Sequence, residues 1–289
     1  MHYTSLTEFI AQNHATLSKG PIAIIIVEDD VEVASTLEHH LKLGFKQVLV
    51  FLPQEVSIEA ELASKVHVIP FRNRSKTHAI DIVNRLIPSA LGSWIYYGYN
   101  AEYLFFPFCE TRTIGEMLTF HTEERRDAML TYVIDIYAQN LNDHPDAVSR
   151  DTAMLDETGY YALARPDPKN HNHPKERQLD FYGGLRWRFE EHIPNAQRKL
   201  DRISLFRAAP GLELKPNHTF NIEEYNTYAC PWHNNLTAAV MSFRTAKALK
   251  LNPGSSFDIK SFEWTRSVKF NWHSMQLMEL GLMEPGQWF

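Results

Sequence analysis

Acids stand at two places where an apolar run breaks. Glu28 and Asp29 follow IAIIIV, and Glu102 follows SWIYYGYNA. A carboxylate at the end of a strand can help hold a hard cation, which takes oxygen ligands. It can equally accept hydrogen bonds from a ligand, or simply sit at the start of a helix, where negative charge is favoured. A second group lies in YGGLRWRF, where Arg186 and Arg188 flank Trp187. Read as a strand of period two, this stretch projects both guanidinium groups from one face. Such a pair can fork onto phosphate oxygens, or pair at the surface with Glu190 or Glu191. Gly183 and Gly184 let backbone approach a ligand, or mark a bulge.

Other residue types carry less. His171 and His173 lie in PDPKNHNHPKER, a charged, Pro-bounded loop that reads as solvated. Cys109 has no base beside it in sequence, so a thiolate nucleophile is not supported. Two cysteines, Cys109 and Cys230, are too few for a disulfide framework or a thiolate zinc site. The acids at 28–30 invite comparison with a phosphate-receiving signalling domain. That site also needs an Asp at the end of a later strand and a Lys further on. The runs KQVLVFL and KVHVIPF end in LPQ and RNRS, and SWIYYGY ends without a Lys. The constellation is incomplete, and the receiver reading falls.

The elements that position these residues follow from the pattern. Apolar runs at 21–27, 46–52, 65–70 and 93–99 are β-branched or aromatic, with helical stretches between them at about 30–43 and 77–88. Continuous apolar strands separated by helices predict a parallel sheet covered on both faces. Such a sheet binds ligands beyond the carboxyl ends of its strands, which is where Glu28 and Asp29 fall. Leu6, Phe9, Ile10 and Leu17 lie near one face of a short amphipathic N-terminal helix. Further on, a long helix is expected over about 122–140, short strands near 202–207 and 212–214, and helices over about 236–250 and 274–282.

The chain of 289 residues, 44% hydrophobic, is long enough for a large core in one or two domains. It has no tract of 18 apolar residues, and its N-terminal stretch lacks the basic start and apolar run of a signal peptide. Cytoplasm is the expected compartment, with no integral membrane segment. A net charge of −6 argues against non-specific binding to nucleic acid.

The stretch 93–107, SWIYYGYNAEYLFFP, resembles the metal-binding segment of bacterial family 2-like glycosyltransferases with the GT-A fold. The strand, acids and helix of 22–45, ending His40-Leu41-Lys42-Leu43-Gly44, match that family too, as do GYYAL at 159–163 and YGGLRWRF. The match in order and spacing covers about 21–245. It implies an α/β protein: a GT-A-like (Rossmann-like) mixed sheet flanked by helices, with a C-terminal acceptor-side α+β part. The expected division is a helical extension over 1–20, a nucleotide-binding half over 21–145 and an acceptor-side half over 146–289.

The implied activity is transfer of a sugar from a nucleoside-diphosphate donor to a glycan or other acceptor. Here the family's D-x-D metal pair is degenerate, with Tyr99 and Ala101 at the two Asp positions and only Glu102 and Tyr103 kept. Mn²⁺ or Mg²⁺ would then be held weakly, by Glu102 with diphosphate and water. Glu28 and Asp29 are the expected base or ribose contacts, and Arg186 and Arg188 the candidates for gripping the diphosphate without metal. Asp180 is the candidate acceptor-side base. His233, in ACPWHNNL, stands near the family's late His facing metal and diphosphate, and His218 in PNHTF is its rival. The alternative is a non-catalytic binding or scaffold protein that retains the fold after losing the metal pair.

Overall fold

In the computed structural model, residues 1–71, 78–227 and 235–288 are described. They divide into two compact units, each made from separate stretches of chain. The first comprises Met1–Tyr103, Thr111–Leu130 and Ile203–Asn226; the second comprises Leu104–Glu110, Thr131–Arg202 and Thr227–Phe289. The expected break at 145/146 therefore lies inside the second unit, and the expected N-terminal extension belongs to the first.

The chain begins with α1 (Leu6–Leu17), β1 (Ile22–Ile26), α2 (Val33–Lys42), β2 (Gln47–Pro53) and α3 (Ala60–Lys65). Next come β3 (His67–Phe71), α4 (His78–Leu86), β4 (Trp94–Tyr99), β5 (Glu102–Phe105), α5 (Ile114–Glu123) and β6 (Ala128–Ala138). After these follow β7 (Ala153–Asp156), β8 (Tyr161–Asp167), β9 (His173–Tyr182), α6 (Gly184–Arg188) and β10 (Asp201–Arg207). The chain closes with β11 (Ala238–Ser242), α7 (Arg244–Leu251), α8 (Pro253–Ser256), β12 (Ser267–Lys269) and α9 (Ser274–Glu279).

In the first unit β3, β2, β1 and β4 run parallel in that spatial order, and β10 pairs with β4 antiparallel. Every residue of β1 and β4 is buried, as a sheet covered on both faces requires. One face packs Ile22, Ile24, Ile26, Tyr97 and Tyr99 with Phe9 of α1 and Val83 and Leu86 of α4 in a single apolar cluster. Burying side chains of this size contributes about 1.5–3 kcal/mol each. Tyr96, which alternates with Tyr97, instead stacks on His40 of α2, with ring centroids 5.0 Å apart. At Gly98 a Cβ would lie 2.5 Å from Tyr96 Oη, so the tyrosine can lean over its own strand only because that position has no side chain.

In the second unit β12 pairs with β7, and β7 with β6, all antiparallel, while β11 lies parallel to β6. β8 and β9 form a separate two-stranded antiparallel ribbon. A core of Tyr137, Met154, Leu185, Ala246, Leu249 and Phe262 holds this unit together.

The long helix expected over 122–140 is instead the end of α5 followed by β6. Nearly every side chain of β6 is buried, so neither period was visible, and the β-branched and aromatic content of MLTYVIDIYA decided the outcome. The helix expected over 236–250 likewise opens with strand β11. YGGLRWRF, expected as a strand, turns into α6 after Gly183. Among the described residues no helix is long and apolar enough to cross a membrane.

Candidate functional site

The strand order of the first unit reverses at β1. From β1 the chain moves outward through β2 and β3, then returns to lay β4 on the other side. The carboxyl ends of β1 and β4 therefore flank a topological switch point, where open α/β sheets take their ligands. Glu28 and Asp29, both half-buried, leave β1 there.

Asn100, at the end of β4, stitches that turn in place. Its Oδ1 accepts from the Glu28 N–H at 2.8 Å, and its Nδ2 donates to Asp29 Oδ1 at 2.7 Å and to the Val31 carbonyl at 2.9 Å. The Val31 N–H also donates to Asp29 Oδ1, at 3.1 Å. Asp29 is thus oriented by neutral donors while part of it stays open to solvent. It does not cap α2 directly: the residue before that helix is Glu32, at φ 55°. The Glu32 carboxylate accepts from Tyr103 Oη at 3.2 Å and from Ser35 Oγ.

The next residues of the turn are locked from below. Ala101, at φ 57°, donates its N–H to Thr36 Oγ1 at 2.9 Å. Glu102 is fully buried, and its Oε2 accepts the Tyr99 N–H at 3.1 Å. Beneath them, His40 bonds the Thr36 carbonyl through Nδ1 at 2.8 Å, while its Nε2 has no hydrogen-bond partner. Burial, with the neighbouring His39 second, pushes the His40 pKa down to about 3, so the ring is neutral.

The fit to a divalent cation is poor among the described residues. Tyr99 and Ala101 supply no carboxylate, the Asn100 amide is committed to the turn, and Glu102 is engaged with backbone. No described group of three or more His, Cys, Asp or Glu side chains is placed to hold a metal. His171 and His173 are exposed, and His233 lies outside the described residues. His218 bonds Tyr97 Oη through Nδ1 at 2.9 Å. Burial pushes the Cys109 thiol up to about 12, which leaves it protonated at neutral pH.

The second unit gathers acids of another kind. Arg188 Nε donates to Asp156 Oδ2 at 2.8 Å and its Nη2 to Oδ1 at 3.0 Å, with the Phe262 carbonyl 2.7 Å from the same nitrogen. Asp156 Oδ1 also accepts from Tyr137 Oη at 2.6 Å and from Trp264 Nε1 at 2.9 Å. Arg186 Nε lies 3.3 Å from Asp135 Oδ1 and 3.2 Å from Thr245 Oγ1. Asp135 is fully buried and its Oδ2 has no hydrogen-bond partner. Burial raises its carboxyl above the usual carboxylate range, against the pull of Arg186.

Both arginines expected at a diphosphate are therefore turned inward onto buried aspartates, not onto Glu190 or Glu191, and Glu190 pairs with Arg198 at 2.9 Å. Asp180 is buried between Arg165, at 2.8 Å, and Lys199, at 2.5 Å. Its two oxygens are thus each engaged by a cation within the second unit. The residues that sequence reasoning missed are Asn100, Asp135 and Asp156. Each had a signal: a lone Asn between the two vacated acid positions, and single acids inside the apolar runs YVIDIY and AMLD.

Neither a family model nor a curated protein matches the chain. Among solved structures the chain is similar to S. aureus TarS, with a TM-score of 0.28 and 15% identity over 39% of this chain and 22% of that one. A likeness of that size decides nothing about fold or activity, which rest on the residues themselves.

Proposed function

We propose that the chain transfers a sugar from a nucleoside-diphosphate donor to a glycan, using a GT-A-like arrangement in its first unit. The observation that carries this reading is the Asn100-braced turn at the switch point of the parallel sheet. It holds the half-buried Asp29 carboxylate where a nucleoside would present ribose hydroxyls or base N–H groups. Asp29 is the donor's anchor in this reading, and Glu28 a neighbour on the same rim. The described residues fit a divalent cation poorly, so the reading assigns no role to a metal.

A second reading has its own observation. Tyr99 is part of the core and Ala101 is buried where the metal pair would stand. A protein that kept the fold as a binding scaffold would look the same there. Calorimetric titration with UDP, GDP and CDP, each with and without Mn²⁺, separates the two. Binding of one nucleotide that weakens at least tenfold in Asp29→Ala supports the transferase. Absence of binding to all three hands the assignment to the scaffold.

A further inference from the structure

A two-stranded ribbon has two outer edges, and the chain treats those of β8 and β9 differently. The outer edge of β9 is closed towards its end. There the Leu200 N–H donates to the Phe181 carbonyl and the Phe181 N–H to Asp201 Oδ1, both at 2.8 Å. Beside the turn, β9 carries Pro174, which has no N–H, then Lys175, Glu176 and Arg177, the last at φ 57°. Proline, charge and an irregular backbone all discourage pairing at a sheet edge.

β8 has none of these over its first four residues. Tyr161, Ala162, Leu163 and Ala164 are uncharged and exposed, and among the described residues β8 pairs with β9 alone. Charge and proline begin only at Arg165 and Pro166. Tyr161 is 44% and Leu163 54% exposed, and a run of four exposed apolar residues is a fault in a surface unless something covers it. The ribbon itself is anchored, because Arg165 pairs with Asp180 at 2.8 Å and with Asp201 at 3.2 Å. Two strands alone are nevertheless marginal, and a sheet gains independent stability from a third.

The pairing within the ribbon shows what the open edge offers. Phe181 turns its N–H and carbonyl away from β8, onto residues 200 and 201. Ala162 stands opposite Phe181, so in an antiparallel pair it also turns its N–H and carbonyl outward. Residues two apart share a face, which places Tyr161 and Leu163 together. Tyr161 is held on that face by stacking on Tyr182, with ring centroids 5.3 Å apart. A two-fold axis through the edge at Ala162 then sets this residue opposite its own copy, exchanging both backbone bonds. The same axis sets each Tyr161 opposite the other copy's Leu163. Bulky apolar side chains cover one another, small residues meet at the centre, and no like charges are opposed.

We propose that β8 pairs antiparallel with β8 of a second copy of this chain, joining two ribbons into one four-stranded sheet. The contact is isologous and closes on itself, the commonest symmetry of homodimers. It is short, below the roughly 800 Å² per partner of a standard interface, so the association is reversible and in the micromolar range. The pairing does not depend on the transferase reading.

The test is sedimentation velocity on the full chain, loaded at about 10 to about 200 µM to bracket a micromolar constant. Dimer should build up across that span, and Leu163→Lys should weaken it at least about tenfold by charging the edge. Ala162→Cys tests the register, since a hydrogen-bonded antiparallel pair has Cα atoms about 5.5 Å apart, within disulfide range. Oxidation should give a covalent dimer of Ala162→Cys well above the level of wild type or of Glu176→Cys on the guarded edge. A wild-type chain that stays monomeric throughout overturns the proposal. So does a dimer that Leu163→Lys leaves unchanged, or an Ala162→Cys chain that cross-links no more than wild type. Should Leu163→Lys fail to fold, the cross-linking decides alone.

Discussion

Asp29 and Asp156 are both strand-end aspartates, and the difference between them lies in what the chain has placed around each. Asp29 is oriented by an amide and a backbone N–H and stays partly open to solvent. Asp156 receives Arg188, Tyr137 and Trp264 and is closed to solvent. An acid braced by neutral donors remains available to a ligand, whereas one saturated by cation and hydroxyl has become part of the frame. The two together show why residue type alone could not locate a site here.

Breaking the frame should have the largest effect. Arg188→Ala leaves Asp156 buried without its cation, and urea denaturation should show a loss of about 3–5 kcal/mol. If the loss stays below about 1 kcal/mol, Asp156 is not the closed group described. Asn100→Ala should lower stability less, by about 1–3 kcal/mol, because it strands the Glu28 N–H and the Val31 carbonyl in a partly exposed turn. Its effect on nucleotide affinity should be out of proportion, at least about tenfold, since Asp29 loses its brace. Equal weakening of nucleotide binding by Arg188→Lys would erase the contrast between the two regions.

The smallest effect sharpens the comparison by pH. Burial holds the folded His40 pKa at about 3, well below the 6.5 of a free imidazole. Between those values the unfolded chain binds the extra proton, so stability falls as pH drops below about 6.5. Each such group contributes up to about 1.4 kcal/mol per pH unit. His121, lowered to about 4 chiefly by burial, adds in the same direction. Denaturation of His40→Phe between pH 6 and 5 should show a shallower slope by about that amount. An unchanged slope would mean His40 is protonated in the folded chain.

How much of this was legible follows the same physics. Runs at 21–27, 46–52, 65–70 and 93–99 matched β1 to β4 closely, because strands buried on both faces read as continuous apolar blocks. Helices α2 and α4 fell where expected between them. The identical argument failed at β6, where a preceding polar stretch, EERRD, made a buried strand look like the end of an amphipathic helix. In YGGLRWRF the two arginines were visible, but their partners were Asp135 and Asp156, far away in sequence and therefore unreadable. Asp29 could be singled out at a strand end. Its dependence on Asn100 could not, since that rests on the pairing of β1 with β4.

The interleaving of the two units also bears on synthesis. The first unit is not complete when Leu130 leaves the ribosome, because its last stretch, Ile203–Asn226, comes only after much of the second unit has been made. At about 5–20 residues per second, the outer edge of β4 waits on the order of ten seconds for β10. During that interval a long apolar strand, WIYYGY, has an unpaired edge, the feature that invites association with other chains. Nascent chains released before residue 203 should therefore be the species most dependent on chaperones, and expression of the first unit alone should require rejoining its three stretches.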